Sequence, residues 1–198
     1  MRLFRKEYQT MTDEQLVIAL AGGDKRAFDH LYERYASALI TYFSRMLWND
    51  REKAEDFLHD LFAKLIQRPE LFDTTRSFKT WIFSVANNMC KNEYKKNEVR
   101  KTSPQEIPDY ALKSSSSHTE QQVDEQLLTE AFDHALEQID VKHKEVFELR
   151  HLDGFSIKEI AATLEINEGT VKSRLFYATK QLAHLLTDFQ PIKNDYHE

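Results

Sequence analysis

Residues 156–186 read SIKEIAATLEINEGTVKSRLFYATKQLAHLL and contain two helical periods separated by a tight break. Ser156 and Glu159 form a capping box, in which each side chain satisfies a backbone amide at the start of a helix. After the break at 165–167, Asn167 can cap a second helix that starts near Glu168. Apolar residues recur every three or four positions in both segments: Ile157, Ile160, Ala161, Leu164, Val171, Leu175, Ala178, Leu182 and Leu185. The stretch therefore predicts a helix-turn-helix, with Ala161 and Ala162 small enough for a close helix crossing.

The face of the second helix opposite its apolar stripe is polar and basic. It carries Thr170, Lys172, Ser173, Arg174, Tyr177 and Lys180. Such a face suits a helix whose N-terminal half enters the major groove, where cations contact phosphates and short polar side chains reach base edges. A helical hairpin in any bundle also has a polar outer face. The capping box, small crossing residues and basic second helix together favour DNA binding.

Three further amphipathic runs precede this motif, and together they can close one small helical core. They carry Phe28, Leu31, Tyr35, Leu39, Tyr42 and Met46; then Ala54, Phe57, Leu58, Leu61, Phe62 and Leu65; then Phe78, Trp81, Ile82, Val85 and Met89. The apolar period lapses over 101–126, a segment with a serine run, and resumes at Leu128, Ala131, Phe132, Ala135, Leu136 and Ile139. The prediction is an all-α protein of two small helical domains, 1–100 and 127–190, joined by a polar linker at 101–126, with a frayed end from Pro191.

Two polar faces in the first domain are candidates for binding. The third helix presents Ser84, Asn87, Asn88 and Lys91, with further lysines beyond, and amide and ammonium groups of this kind can contact base edges and phosphates. The second helix presents Glu55, Asp56, His59, Asp60 and Lys64. Each set could equally be an ordinary solvated helix face, and Trp81 is more often a core residue than a base-stacking one.

Bulk composition excludes several classes of protein. A net charge of -6 argues against coating nucleic acid by overall electrostatics, so any DNA contact must use local basic surfaces. The single cysteine, Cys90, cannot form an internal disulfide and has no metal-ligand partner at a recognisable spacing. No apolar run approaches the roughly 20 residues of a spanning helix, and the N-terminus lacks a signal peptide's apolar stretch, so the expected location is the cytoplasm. HExxH, CxxC and Gly-rich phosphate-loop motifs are missing, and we expect no catalytic residue, metal or cofactor.

Four strings in this order resemble the extracytoplasmic-function sigma factors, a group of the sigma-70 family. They are GDKRAFDHLYERY at 23–35, AEDFLHDLFAKL at 54–65, FKTWIFSVANN at 78–88, and the long string from His143 to Leu182 that includes the helix-turn-helix. The resemblance covers nearly the whole chain. It implies a sigma-2 module, a short linker and a sigma-4 module, and it implies the function of such a factor: promoter-specific initiation by RNA polymerase through the -10 and -35 elements.

The same resemblance implies roles for individual residues. Asp56, His59, Asp60 and Phe62 would dock on the clamp helices of the polymerase. The turn from Phe72 to Phe78, with residues of the helix behind it, would hold a flipped base of the downstream element, a set comprising Asp73, Arg76, Ser84, Asn87, Asn88 and Lys91. Thr170, Lys172, Ser173, Arg174, Tyr177 and Lys180 would read the upstream element, and the same domain would touch the polymerase flap.

The resemblance also implies the partners: core RNA polymerase, promoter DNA and an anti-sigma protein, with no small-molecule substrate. The sequence departs from many relatives at His59-Asp60, where they have Gln-Glu, and at Tyr177 and Thr179, where they often have basic residues. Two other functions stay open at the level of sequence. A conventional helix-turn-helix regulator would share the second domain, but it gives no reason for the Asn- and Lys-bearing third helix. An enzyme acting on nucleic acid would need one of the missing motifs.

Overall fold

The computed structural model describes residues 8–102 and 120–187, and all regular structure within these ranges is helical. Short 3-10 turns lie at Tyr8–Thr10 and Pro69–Leu71, and a π-helical turn lies at Glu148–Leu152. The α-helices are α1 (Asp13–Ala21), α2 (Lys25–Met46), α3 (Arg51–Gln67), α4 (Phe78–Thr102), α5 (Glu120–Gln138), α6 (Val141–Phe147), α7 (Ile157–Leu164) and α8 (Glu168–Thr187). The predicted all-α fold of two small helical domains is confirmed.

Helices α1 to α4 form the first bundle, and the first two apolar stripes of the sequence lie largely in its core. In α4, Trp81, Val85 and Met89 of the predicted stripe are half-buried, while Phe83, Ala86 and Cys90 are buried instead. Leu31, Leu39, Tyr42, Leu61 and Phe78 are among the residues that are almost fully buried. Aromatic rings pack edge to face through this core, as between Tyr42 and Phe83 at a centroid distance of 5.5 Å. The bundle therefore depends mainly on apolar burial, as the stripes predict.

Local capping explains where the two helices of the helix-turn-helix begin and end. Ser156 N donates to Glu159 Oε2 (2.8 Å) and Glu159 N donates to Ser156 Oγ (3.2 Å), which confirms the capping box. α7 ends at Glu165, whose φ of 55° is left-handed. Asn167 Oδ1 then accepts from Thr170 N at 2.7 Å, so Asn167 caps α8 as predicted.

Three details of the second domain differ from the prediction. Ala162 is exposed and cannot mediate a helix crossing. Leu128 is also exposed, at 56%. α5 starts at Glu120, inside the predicted linker, because Glu and Gln favour helix even without an apolar period. α4 likewise runs to Thr102, while 103–119 and the end predicted to fray from Pro191 lie outside the described residues.

The two bundles pack against each other, and one buried apolar cluster runs through both. Phe155, just before α7, is fully buried against Phe83 of α4 with ring centroids 5.0 Å apart. Lys79 Nζ lies 4.1 Å from the centroid of the Phe155 ring. α5 packs separately against the C-terminal half of α8, around Ala135, Leu136 and Leu182. The apolar stripes could not predict this junction, because Phe155 belongs to a turn and not to a helical period.

Buried charges flank the aromatic junction. Arg45 of α2 makes ion pairs with Glu148 and with Asp153, the latter at 3.1 Å between Nη2 and Oδ1. Lys144 Nζ donates to the carbonyl oxygen of Arg45 at 2.6 Å. The π-helical turn brings Glu148 to this position, and the Glu148 side chain is 0% exposed. Burial raises the pKa of Glu148 to about 7, although the charges of Arg45 and Lys144 act to lower it.

The raised pKa predicts a pH-dependent stability with a definite sign. The folded protein holds the Glu148 proton more tightly than the unfolded chain, whose glutamates titrate near 4.5. The stabilisation that the Glu148 proton gives to the folded state is therefore complete below about pH 4.5 and is lost as the pH rises through about 7. Between pH 5 and 8, the free energy of unfolding should fall by on the order of 2 kcal/mol more in the wild type than in Glu148→Gln.

Urea unfolding followed by circular dichroism at pH 5, 6, 7 and 8 measures this difference. Glu70→Gln is the matched control, because Glu70 is exposed and the substitution removes the same charge. The control should follow the wild-type profile. An identical pH profile for wild type and Glu148→Gln would contradict the prediction.

Candidate nucleic-acid interface

The polar face of α8 is open to solvent along most of its length. Lys172, Ser173, Tyr177 and Lys180 are exposed, and Arg174 is half-buried. Thr170 is also half-buried, and both its amide and its hydroxyl donate to Asn167 Oδ1. The junction between the two bundles therefore leaves this face available to a nucleic acid.

Two side chains on α8 already have their orientation set. Ser173 Oγ donates to the carbonyl oxygen of Thr170 (3.0 Å), so its lone pairs remain to accept bonds from a base or a water. Tyr177 stacks on His143 of α6 with centroids 5.9 Å apart. An oriented acceptor and a supported ring next to Lys172 and Lys180 form a face that can contact both bases and phosphates.

Sequence reasoning missed Phe176. This ring is 64% exposed and lies edge-on to Tyr177 at 5.4 Å. It borders a shallow groove between α7 and α8 lined by Ile157, Lys172, Leu175, Thr179, Lys180 and Ala183. The sequence did contain one signal: Phe176 is an aromatic residue outside the buried apolar stripe of α8, as is typical of an interaction surface.

The turn from Phe72 to Phe78 has buried ends and an exposed tip. Phe72 packs against Phe78 and against Trp81, with centroid distances of 5.3 Å in both pairs. At the tip, Asp73 Oδ1 accepts from Thr75 N (3.0 Å) and Oγ1 (2.7 Å), and these bonds lower the Asp73 pKa. The tip is thus held in shape by its own hydrogen bonds.

The predicted downstream residues fall into two groups in the structure. Asp73, Arg76 and Asn88 are exposed, and Ser84 is half-buried, so these four face solvent to differing degrees. Asn87 was predicted on an exposed face, but it is only 1% exposed. The second bundle packs on α4 through α7, and Glu145 of α6 lies against Asn87.

Asn87, Lys91 and Glu145 form a compact polar cluster between α4 and α6. The amide of Asn87, oriented to satisfy both neighbours, donates from its nitrogen to Glu145 Oε1 (3.1 Å) and accepts from Lys91 Nζ (3.2 Å). Lys91 Nζ lies 3.6 Å from Glu145 Oε1. Two predicted DNA-binding side chains are therefore engaged by a carboxylate of the same chain.

The residues of α3 that were predicted to bind polymerase differ in their exposure. Asp56, His59 and Asp60 are exposed, as a docking surface requires. Phe62 is not: it is 3% exposed and packs against Tyr32 at 4.8 Å, so it can support this surface only from beneath. The apolar spacing already placed Phe62 in the core, and its assignment as a contact residue conflicts with that burial.

Ile66 is a second residue that sequence reasoning missed. It is 49% exposed and lies seven residues after His59, on the same side of α3. An exposed apolar side chain beside acidic ones is typical of a protein-binding surface.

The three sets of residues do not converge on one centre. Across 8–102 and 120–187, no group of His, Cys, Asp and Glu could hold a metal ion. Cys90 is buried within α4, and its burial raises the thiol pKa well above the usual range. Over the same ranges, no helix combines the length and apolar content needed to cross a membrane. The geometry is that of several binding faces on a helical scaffold.

Comparisons with known proteins match both bundles. The family model for sigma-70 region 2 matches residues 31–100, and the model for sigma-70 region 4 matches residues 129–182. Among curated proteins, the ECF RNA polymerase sigma factor SigL of Mycobacterium tuberculosis is 34% identical over 157 residues, covering 77% of this chain and 84% of SigL. The ECF RNA polymerase sigma-E factor of Escherichia coli K12 is 28% identical over 183 residues, with 88% and 94% of the two chains covered.

Solved structures show the same fold. The structure of CnrH in complex with the cytosolic domain of CnrY superposes with a TM-score of 0.67 at 22% identity, covering 90% of this chain and 99% of the other. The sigma factor RpoE of Bartonella quintana, in complex with the anti-sigma factor NepR, gives a TM-score of 0.63 at 23% identity, with 82% and 98% covered.

Proposed function

The chain belongs to the extracytoplasmic-function RNA polymerase sigma factors of the sigma-70 family, and from this membership we propose how its surfaces divide the work of promoter-specific initiation. Residues 1–100 act as the sigma-2 module, 101–126 as the linker and 127–190 as the sigma-4 module. The sigma-2 module binds core polymerase through α3 and the downstream promoter element through the 72–78 turn and α4. The sigma-4 module binds the upstream element through α8 and touches the polymerase flap.

The observation that carries this proposal is the exposure of all three faces on one chain. The α8 face, the tip of the 72–78 turn and the acidic side of α3 are open to solvent at once. A conventional helix-turn-helix regulator needs the first face only, and the acidic side of α3 and the exposed turn would then have no role. We therefore assign the chain no catalytic chemistry of its own and place its action in the cytoplasm, with the polymerase.

Regulation by an anti-sigma protein is part of the proposal. One solved structure of the same fold contains the sigma factor RpoE bound to the anti-sigma factor NepR, and another contains CnrH bound to the cytosolic domain of CnrY. An anti-sigma protein for this chain would cover its polymerase-binding surfaces until a signal releases them.

Reconstituted transcription tests the function directly. Purified chain added to core polymerase should yield transcripts with defined start sites from a genomic library of promoters, whereas core polymerase alone should not. Mapping those start sites supplies the promoter sequence as well. The proposal fails if the chain neither binds core polymerase nor directs defined starts.

Removing two cations from α8 tests recognition of the upstream element. Lys172→Ala with Arg174→Ala should weaken holoenzyme binding to a mapped promoter about ten-fold or more and flatten its dependence on salt, because each lost phosphate contact lowers the salt slope by about one. Lys25→Ala is the control and should bind as the wild type does, because Lys25 is an exposed cation of α2, far from α8 in the sequence. Unchanged affinity in a filter-binding titration of the double variant would remove α8 from the DNA-binding surface.

Charge reversal on α3 tests the docking face. Asp56→Lys with Asp60→Lys should weaken binding to core polymerase at least about ten-fold, because two attractions become repulsions at the same surface. Both side chains are exposed, so the thermal unfolding midpoint should stay close to that of the wild type. Asp29→Lys with Glu165→Lys, which reverses two exposed acids outside α3, is the charge-matched control. Equal affinity of the double variant and the control, measured by fluorescence anisotropy without DNA, would show that α3 is not the docking face.

A further inference from the structure

The end of the 72–78 turn, where α4 begins, is held by a side chain from a distant helix. Phe78 is the first residue of α4, and the amides in the first turn of a helix have no acceptor within the helix itself. Glu14 of α1 supplies an acceptor: its Oε1 accepts from Phe78 N at 3.0 Å, although the two residues are 64 positions apart in the sequence. Glu14 therefore caps α4 from outside the local sequence.

The Glu14 carboxylate is half-buried and favours its charged form. Burial acts to raise the Glu14 pKa, but hydrogen bonds from Phe78 N, from its own amide and from Thr12 bring that pKa below its ordinary value. The bond to Phe78 N is thus charge-assisted, and a negative charge is also favoured at the positive end of the helix dipole. The local cap of α4 is longer, since Thr80 N lies 3.4 Å from Ser77 Oγ.

Asp13, next to Glu14 in the first turn of α1, holds the ring side of the same residue. Asp13 accepts from the hydroxyl of Tyr35, and its Oδ1 lies 2.6 Å from Nη1 of Arg34. The Tyr35 ring packs edge-on against the Phe78 ring, with centroids 5.3 Å apart. Phe78 is therefore fixed on two sides by the start of α1, at its amide by Glu14 and at its ring through Tyr35.

The position of the whole turn depends on its two ends. Within the tip, the bonds from Thr75 to Asp73 set the local shape, but they do not connect the tip to α4. Phe72 at one end packs against Phe78 and Trp81, so its place depends on Phe78 at the other end. The bond to Glu14 therefore helps to decide where the exposed tip lies relative to the polar side chains of α4.

We propose that Glu14 is a positioning residue for recognition of the downstream element: by holding the start of α4, it fixes the 72–78 turn in the place from which the turn discriminates between bases. The inference rests on the proposed function for the identity of the DNA. Glu14 acts through Phe78 and needs no contact with DNA. Loss of its bond leaves a helix amide without its acceptor and loosens the turn, which weakens base discrimination more than attraction to the phosphates.

Base discrimination by the holoenzyme tests this role. The probes are a short fluorescein-labelled single strand that carries the mapped downstream element and a scrambled strand of equal composition. Glu14→Ala should lower the ratio of the two affinities about five-fold, the factor that corresponds to the loss of one helix cap, with little change for the scrambled strand. Glu14→Gln keeps an oxygen acceptor and should stay within about two-fold of the wild-type ratio.

Asp50→Ala is the matched control. Asp50 Oδ1 caps α3 in the same bundle by accepting from Lys53 N at 3.0 Å, a bond of the same kind and length. Its loss should lower the thermal unfolding midpoint by about as much as Glu14→Ala does, roughly 2–4 °C, while the affinity ratio stays at the wild-type value.

Amide hydrogen exchange of the free chain tests the contact without polymerase or DNA. The peptide 72–80 should exchange faster in Glu14→Ala than in the wild type, and at the wild-type rate in Asp50→Ala. Glu14→Asp, with a carboxylate one methylene shorter, is a second variant that loses the bond, and it replaces Glu14→Ala in both assays if the alanine variant does not fold. Circular dichroism checks the fold of each variant.

The outcomes separate this role from the proposed function. Wild-type exchange of 72–80 in the variants that lose the bond, or a wild-type affinity ratio in them, would overturn the positioning role even where the chain directs defined transcription starts. An equal fall of both affinities would assign Glu14 to stability alone and overturn it as well. Faster exchange in a chain that gives no defined starts with core polymerase would overturn the function as a sigma factor, and with it the part of Glu14 in base choice.

Discussion

The junction around Arg45 decides what each surface of this protein can do. One guanidinium of α2 holds Glu148 and Asp153 of the second bundle, and Phe155 packs against α4 beside it. A buried carboxylate is tolerated only beside a cation or a hydrogen-bond donor. Arg45 is that partner for Glu148 and Asp153 while the two bundles are packed together. These ion pairs fix how the two bundles meet, within a junction that also buries Phe155, Ile160 and Val171 in the apolar cluster shared with the first bundle.

The distribution of charge explains how an acidic chain can bind DNA. The net charge is -6, yet α8 carries exposed cations on one face and α4 carries Lys91 beside two asparagines. Several acids lie on the outer side of α3, where a basic partner can use them, and Glu145 of α6 meets Lys91 of the same chain. The net negative charge therefore disfavours nonspecific binding to DNA, while the local basic faces still attract the intended partner.

Particular residues show where sequence reasoning succeeded and where it could not. The stripes of the first bundle, the capping box and the Asn167 cap were predictable, because they depend on residues three or four positions apart. Asn87 and Phe62 were assigned to binding faces, and both are buried. Phe62 could have been rejected from its own helical period, and Asn87 too, because Phe83 lies four residues before it and Cys90 three after it. Only the tertiary structure shows that Glu145 contacts Asn87. The sequence did not predict a role for Phe176 or Ile66, because an exposed apolar side chain departs from the helical apolar period without indicating which partner it contacts.

The sequence by itself determined the helices, their caps, the helix-turn-helix and the family, since all of these depend on local spacing and on strings of residues that stand next to one another. Only the tertiary structure decided how the bundles meet, which polar groups that meeting hides and which it leaves open. The physical reason is distance along the chain: Arg45 and Asp153 are separated by 108 residues, and no periodicity connects them. Long-range pairing of buried charges is settled by three-dimensional packing, and here that packing separates the exposed polar groups of α8 from the covered ones of α4, both of which we propose as DNA contacts.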